Sequence, residues 1–227
     1  MQIRRIGGIG DFGKFALLRH LMPGRRLAVC LYLTGANGEV KGRSRHFDYL
    51  KRPDKFRHLA PELFDQLAEF AGSRSTTADP LTALRMSGVL ENAIYLRHEV
   101  PKQASVRPLW AELLVNSVID ANLVFLDPDS GIQGNRLTNR HVALAEISAM
   151  RRKDRVLIIG HHQSGRKAEV KYLADLMKSL GCDLVEIIRL RLAASYLLII
   201  LDQDEAMTEV TATFIRKWGN WVKSYHF

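Results

Sequence analysis

The chain has 227 residues, 47% hydrophobic and 25% charged, which excludes intrinsic disorder and allows a real core in one large domain or two small ones. Lys and Arg number 33 against 24 Asp and Glu, a net charge of +9 that favours a polyanionic partner such as nucleic acid. No apolar run approaches the roughly 18 residues of a membrane span. The opening MQIRRIGGIGDFGK lacks a signal peptide's apolar core. Two cysteines, Cys30 and Cys182, exclude a disulfide framework and suit a reducing, cytoplasmic setting.

In chain order, Asp11 is a good N-cap for a first helix whose apolar face is Phe12, Phe15, Ala16, Leu18 and Met22, stopped by Pro23-Gly24. Residues 27–33 (LAVCLYL) read as a strand buried on both faces, opening into a Gly-rich loop over 34–42. Leu59, Leu63, Phe64, Leu67 and Phe70 have helical spacing, with Pro61 in the first turn. A loop over 73–80 follows, then a strand over 89–96 and a helix over 109–118 entered through Pro108. Residues 123–126 (LVFL) form a strand ending in Asp127-Pro128-Asp129-Ser130-Gly131. A helix over 141–150 leads to a strand starting at Arg155 and ending at Gly160-His161-His162. Val170, Leu173, Met177 and Leu180 mark another helix, closed by Gly181. Strands over 184–190 and 196–201 have a connection too short for a parallel crossover, so they pair antiparallel. A long helix over 204–225 ends the chain.

Alternating strands and helices without an internal repeat predict one α/β domain over 1–227: a three-layer, mostly parallel, Rossmann-like sheet closed by a C-terminal antiparallel hairpin. In such sheets ligands bind beyond the carboxyl ends of the strands. Three polar segments fall there: Thr34-Gly35-Ala36-Asn37-Gly38, the Asp127–Asp129 turn, and His161-His162. Pro128 drives Asp127 toward extended backbone, so its carboxylate projects at the rim. Two acids this close suit a hard cation or a general base, or else a turn in which they bond local N–H groups. Successive strand residues face opposite ways, so at most one of the two histidines faces a shared site. Arg166, at the start of the next helix, is placed to meet a phosphate. The run Gly7-Gly8-Ile9-Gly10-Asp11-Phe12-Gly13-Lys14 is Gly-rich before a helix, but no strand precedes it. No HExxH, CxxC or Walker A motif is present.

The segments GDFGKFALLRHL, LYLTG and FLDPDSG resemble an uncharacterised bacterial family with a GDFGK-like start and an FLDPDNG-like centre. Their order also resembles the adenine-N6 methyltransferases of large ribosomal RNA. Those carry an N-terminal helical motif, a Gly-containing motif after the first strand, a DPPY-type motif after the fourth, and a closing hairpin. The resemblance implies that S-adenosylmethionine is held by Asp11, Lys14, Gly35 and Asp127. It also implies that Asp127 accepts a hydrogen bond from the target amine. Asp129 and Ser130 stand where that family has Pro and an aromatic residue, and Glu99 is the nearest acid to a second strand end. Two other readings stand beside it. One is a metal-dependent nuclease or phosphodiesterase with Mg²⁺ or Mn²⁺ on Asp127 and Asp129, His161 or His162 as base and Arg166 on the phosphate. The other is a non-catalytic nucleic-acid-binding module.

Overall fold

The computed structural model describes residues 6–34, 45–73, 80–96, 99–162, 168–192 and 196–227. It is a mixed α/β structure with nine strands and eight α-helices among those residues. The strands are β1 (Leu27–Leu31), β2 (Ile94–Leu96), β3 (Leu123–Asp127), β4 (Gly131–Ile132), β5 (His141–Val142), β6 (Val156–His162), β7 (Val185–Leu190), β8 (Tyr196–Leu201) and β9 (Val222–His226). The helices are α1 (Ile9–Leu21), α2 (Pro53–Phe56), α3 (Pro61–Ser73), α4 (Pro80–Met86), α5 (Arg107–Ser117), α6 (Leu144–Met150), α7 (Ala168–Ser179) and α8 (Glu205–Trp218).

Seven strands form one sheet in the order β2-β1-β3-β6-β8-β7-β9, and β4 and β5 form a separate small pair. The pairs β1·β2, β1·β3 and β3·β6 are parallel. β8 runs antiparallel to both β6 and β7, and β9 antiparallel to β7. Five strands therefore share one direction, and the carboxyl ends of β1, β3, β6 and β7 lie along a single rim.

The apolar runs explain the sheet. Alternate residues of one strand face opposite layers. Val29, Phe125, Ile158, Ile188 and Ile200 pack with Phe12, Phe15, Leu63, Phe64, Phe214 and Trp218 of α1, α3 and α8. Their neighbours Ala28, Cys30, Val124, Leu157, Ile187 and Ile199 pack with Trp110, Leu114, Ile147, Leu173 and Met177 of α5, α6 and α7. Helices thus cover both faces. No helix among the described residues is long and apolar enough to cross a membrane.

The β7–β8 hairpin pairs antiparallel as the sequence predicts, and its second strand lies between β6 and β7. Other boundaries differ from the sequence reading. α1 starts at Ile9 with Gly8 as N-cap, and Asp11 sits inside the first turn, its Oδ2 accepting the Gly7 N–H at 2.9 Å. The strand expected over 89–96 shortens to β2, because Val89 and Leu90 are buried in a turn and Asn92 adopts φ 61°. The helix expected over 141–150 begins only at Leu144, because His141 and Val142 pair with Gly131 and Ile132. The terminal helix stops at Trp218. Gly219, with φ 49°, turns the chain into β9 along the edge of β7. Phe214, Trp218, Trp221 and Tyr225 continue a helical spacing across that glycine, which is why the sequence reads as one helix. The Gly-rich loop over 34–42, apart from Thr34, and the interior of the loop over 73–80 lie outside the described residues.

Candidate functional site

The rim is built from the strand ends. Parallel pairing sets Leu31 of β1 beside Asp127 of β3, and the Tyr32 N–H donates to the Asp127 carbonyl at 3.3 Å. Asp127 is only 2% exposed. Its Oδ2 accepts from Lys14 Nζ at 2.8 Å and its Oδ1 from the Tyr196 hydroxyl at 2.6 Å. Lys14 also meets Asp11 Oδ1 at 2.6 Å. The first turn of α1, the end of β3 and the start of β8 therefore meet in one buried ionic cluster. Tyr196 reaches Asp127 because residue 160 is glycine: a Cβ there would occupy the space of the Tyr196 hydroxyl.

The electrostatics follow from that packing. Burial pushes the Asp127 carboxyl up, but the adjacent Lys14 ammonium and the Tyr196 hydrogen bond outweigh it, so its pKa lies below the usual carboxylate value. Burial dominates at Asp11, with the negative Asp127 adding to it, so that carboxyl is raised despite Lys14. Desolvation opposes the Lys14 charge, but its two carboxylates win and raise the ammonium's pKa. Burial and the Asp127 charge raise the Tyr196 phenol well above its ordinary value. At neutral pH Asp127 is an ionised acceptor held by two donors. A carboxylate offers about four acceptor positions, so it retains capacity for more.

The two histidines separate as strand geometry requires. His162 faces the cluster, its ring 4.9 Å from that of Tyr196 at 84°. His161 faces the other layer. Its Nδ1 accepts the Ile132 N–H at 3.1 Å and its Nε2 lies 3.2 Å from Glu169 Oε1. That backbone donor fixes the neutral tautomer with the proton on Nε2, directed at Glu169. Gly131, at φ 103°, makes room for the ring, since a Cβ there would overlap it. Burial lowers the pKa of both histidines.

The structure thus brings Asp11, Lys14, Asp127 and His162 together. Asp129 turns away to Arg140, whose Nε and Nη2 lie 2.8 and 2.7 Å from its Oδ2. Gly35 and Arg166 lie outside the described residues. For Mg²⁺ or Mn²⁺ the donor set is poor: both Asp127 oxygens serve donors, one of them a cation, and Asp129 is paired. No group of three or more His, Cys, Asp or Glu that could hold a metal ion occurs among the described residues.

Two further polar features escape the sequence reading. Tyr196 is the one hydroxyl in the strand YLLIIL, a signal that could have been used. Across the sheet, Glu146 accepts from Arg107 Nε at 2.5 Å, the Tyr32 hydroxyl at 3.0 Å and the Ala143 N–H at 3.0 Å. This second cluster braces β1, α5 and α6 behind the rim. At the rim itself, the Thr34 hydroxyl is buried and has no hydrogen-bond partner among the described residues. Glu99, exposed just past β2, bridges in parallel to Leu33, so an acid does stand beside the end of the first strand.

No family model matches the chain, and no curated protein matches it significantly. Among solved structures, the fold is similar to that of LPL1258 from Legionella pneumophila str. Philadelphia 1, assigned to family-model DUF519, a family of unknown function. The match has a TM-score of 0.51 at 11% identity and covers 98% of this chain and 97% of that one. At that identity the likeness extends to the whole fold and to nothing beyond it.

Proposed function

We propose that the protein is a Rossmann-like, S-adenosylmethionine-dependent methyltransferase acting on an exocyclic amine of nucleic acid. The observation that carries this reading is the 2.8 Å contact between Lys14 and Asp127, 113 residues apart. It joins the N-terminal motif and the Asp-Pro motif, the two segments that resemble the amino-methyltransferases, at the rim where open α/β sheets bind ligands. The strand order supports it too, with β8 set between β6 and β7 as a closing hairpin.

The surroundings fit the cofactor. Thr34 supplies a buried hydroxyl with no partner among the described residues, Gly35 follows it in sequence, and Glu99 stands across from Leu33, where an acid beyond a second strand would bond ribose hydroxyls. When bound, S-adenosylmethionine supplies an electrophilic methyl group. The chain's own part is positional. Asp127, kept ionised by Lys14, accepts an N–H of the target amine and orients its lone pair. Tyr196 and Lys14 hold that carboxylate in one rotamer. His162, exposed at the edge of the cluster and largely neutral, is placed to take the proton that the methylated amine must lose.

The test is a methyl-transfer assay with radiolabelled S-adenosylmethionine and unmodified RNA or DNA. Asp127→Asn keeps an oxygen acceptor and is expected to retain partial transfer, whereas Asp127→Ala should abolish it. Wild-type-level transfer by a folded Asp127→Ala variant would remove Asp127 from the mechanism. Failure of the wild-type protein to bind S-adenosylmethionine would remove the mechanism itself.

A further inference from the structure

The net charge of +9 overstates the cations free to meet a polyanion. Arg151 bonds Asp202 and the Leu180 and Gly181 carbonyls. Arg152 donates to Ile119 O and Ala121 O, and Arg155 to the carbonyls of Ala121, Met150 and Val118. Arg25 pairs with Asp204, Arg57 with Asp65, and Lys51 with Asp48.

The edge formed by β7 and β9 is different. Lys223, exposed on the edge strand, sits opposite Arg189 in the antiparallel ladder. Arg191, exposed one residue past β7, donates its N–H to Trp221 O at 2.8 Å. Cations lie over half-buried aromatic rings here: Lys55 Nζ is 5.3 Å from the Trp221 centroid and Lys223 Nζ 4.8 Å from that of Tyr225. Such stacking holds each ammonium in place beside an aromatic face. Asp54 adjoins Lys55 in sequence, and Glu186, at the far end of β7, is buried and bonded by Ser224 and Gln203.

This strip shares the rim of the candidate site. One row of the sheet runs His162, Tyr196, Leu190, Val222. Three strand spacings of ~4.8 Å put Val222 about 14 Å from His162. Trp221 and Arg191 stand one residue beyond that row. We infer that Lys55, Trp221, Arg191 and Lys223 form a binding strip for a single-stranded segment of nucleic acid, holding the phosphates that flank the base presented to Asp127. The inference rests on the nucleic-acid substrate proposed above. Spaced cations with interleaved aromatic rings suit an unpaired strand, whose bases are free to stack while its backbone follows the charges. A strip wrapping round the edge of a sheet from one face to the other suits a flexible strand better than a rigid duplex.

Fluorescence anisotropy with a labelled single-stranded oligonucleotide of about 16 nucleotides tests it, titrated between about 50 and 200 mM salt. The double variant Arg191→Glu/Lys223→Glu is compared with Lys153→Glu/Lys178→Glu, two exposed lysines at the opposite end of the sheet. Two lost phosphate contacts should lower the slope of log affinity against log salt by about 1.4 and weaken low-salt binding by roughly tenfold. The control pair should stay near wild type. Equal losses in both pairs, an unaffected strip variant, or no oligonucleotide binding by the wild-type protein overturns the assignment. Calorimetry with S-adenosylmethionine separates the two claims. Cofactor binding without strip-dependent oligonucleotide binding sinks the strip alone. Strip-dependent binding without cofactor binding sinks the methyltransferase reading alone.

Discussion

The two ends of the central sheet use charge in opposite ways. At the amino end of β6, Arg151, Arg152 and Arg155 spend most of their donors on main-chain carbonyls, Leu180 and Gly181 after α7 and Val118 to Ala121 after α5. They satisfy the carbonyls that helix ends leave unpaired. A cavity of about 540 Å³ lies beside Arg151, Arg152 and Asp202, but its arginines are already committed to these bonds. At the carboxyl end, Lys14 meets two carboxylates and, among the described residues, no main-chain group, and the carboxylates belong to separate elements. The difference teaches that a guanidinium on carbonyls finishes a fold. A buried cation between acids at a strand end instead ties a helix to that strand, and it is on this cluster that the proposed site rests. Counting Arg and Lys in the sequence cannot tell these apart.

The comparison breaks most visibly at Lys14. Replacing it in Lys14→Met leaves Asp11 and Asp127 as two buried acids without a cation, and the loss in stability should be about 3–5 kcal/mol by chemical denaturation. The deficit should narrow in acid. In the wild-type protein Asp127 has a depressed pKa, so its contribution is present above the unfolded value and is lost as pH falls through the folded one. In the variant burial acts unopposed, and protonation relieves it. A variant as stable as wild type at neutral pH would show that the cluster is not tightly coupled.

Gly160 and Tyr196 sharpen the same point. Gly160→Ala should destabilise by about 1–3 kcal/mol through overlap with the Tyr196 hydroxyl. Tyr196→Phe should cost about 1.5–3 kcal/mol by removing a hydrogen bond to a charged acceptor. The double variant should be less damaged than the sum, because removing the hydroxyl frees the space that the new methyl needs. Strict additivity in a thermal-denaturation cycle would contradict the packing.

A smaller effect belongs to His161. Burial lowers its pKa, with Glu169 opposing, so the folded ring stays neutral at pH values where the unfolded one, near 6.5, takes up a proton. Its contribution is complete above about pH 6.5 and fades as pH falls through the lower folded value. His161→Asn keeps an acceptor for the Ile132 N–H but cannot titrate. It should flatten the decline in melting temperature below neutrality, though only in part, because His20, His141 and His162 are depressed too. The least consequence is expected at the exposed pair Arg57–Asp65, where Arg57→Ala should leave the melting temperature within experimental scatter.

Much of this was legible in the sequence, for definable reasons. Continuous apolar runs such as LAVCL and VLII can only be strands covered on both faces, so the sheet and its closing hairpin follow from local pattern. The abrupt change from apolar FL to DPD marked Asp127 as a rim residue. Local pattern does not reveal its partners: the family resemblance alone sets Lys14 at the same site, and nothing sets Tyr196 there. Lys14 and Tyr196 lie 113 and 69 residues away, and only tertiary packing brings them to one carboxylate. Asp129 looked like a second ligand from spacing alone, yet one turn of chain delivers it to Arg140. β9 was hidden because an aromatic helical period runs through Gly219.

The rim between Thr34, Asp127 and His162 is proposed as the cofactor site. Isothermal titration of the wild-type protein with S-adenosylmethionine at neutral pH tests it most directly. Saturable binding of one molecule per chain is expected, weakened by Glu99→Ala and retained in Lys153→Glu. A flat titration, or binding that Glu99→Ala leaves untouched while Lys153→Glu removes it, would contradict the account and move the site to the other end of the sheet.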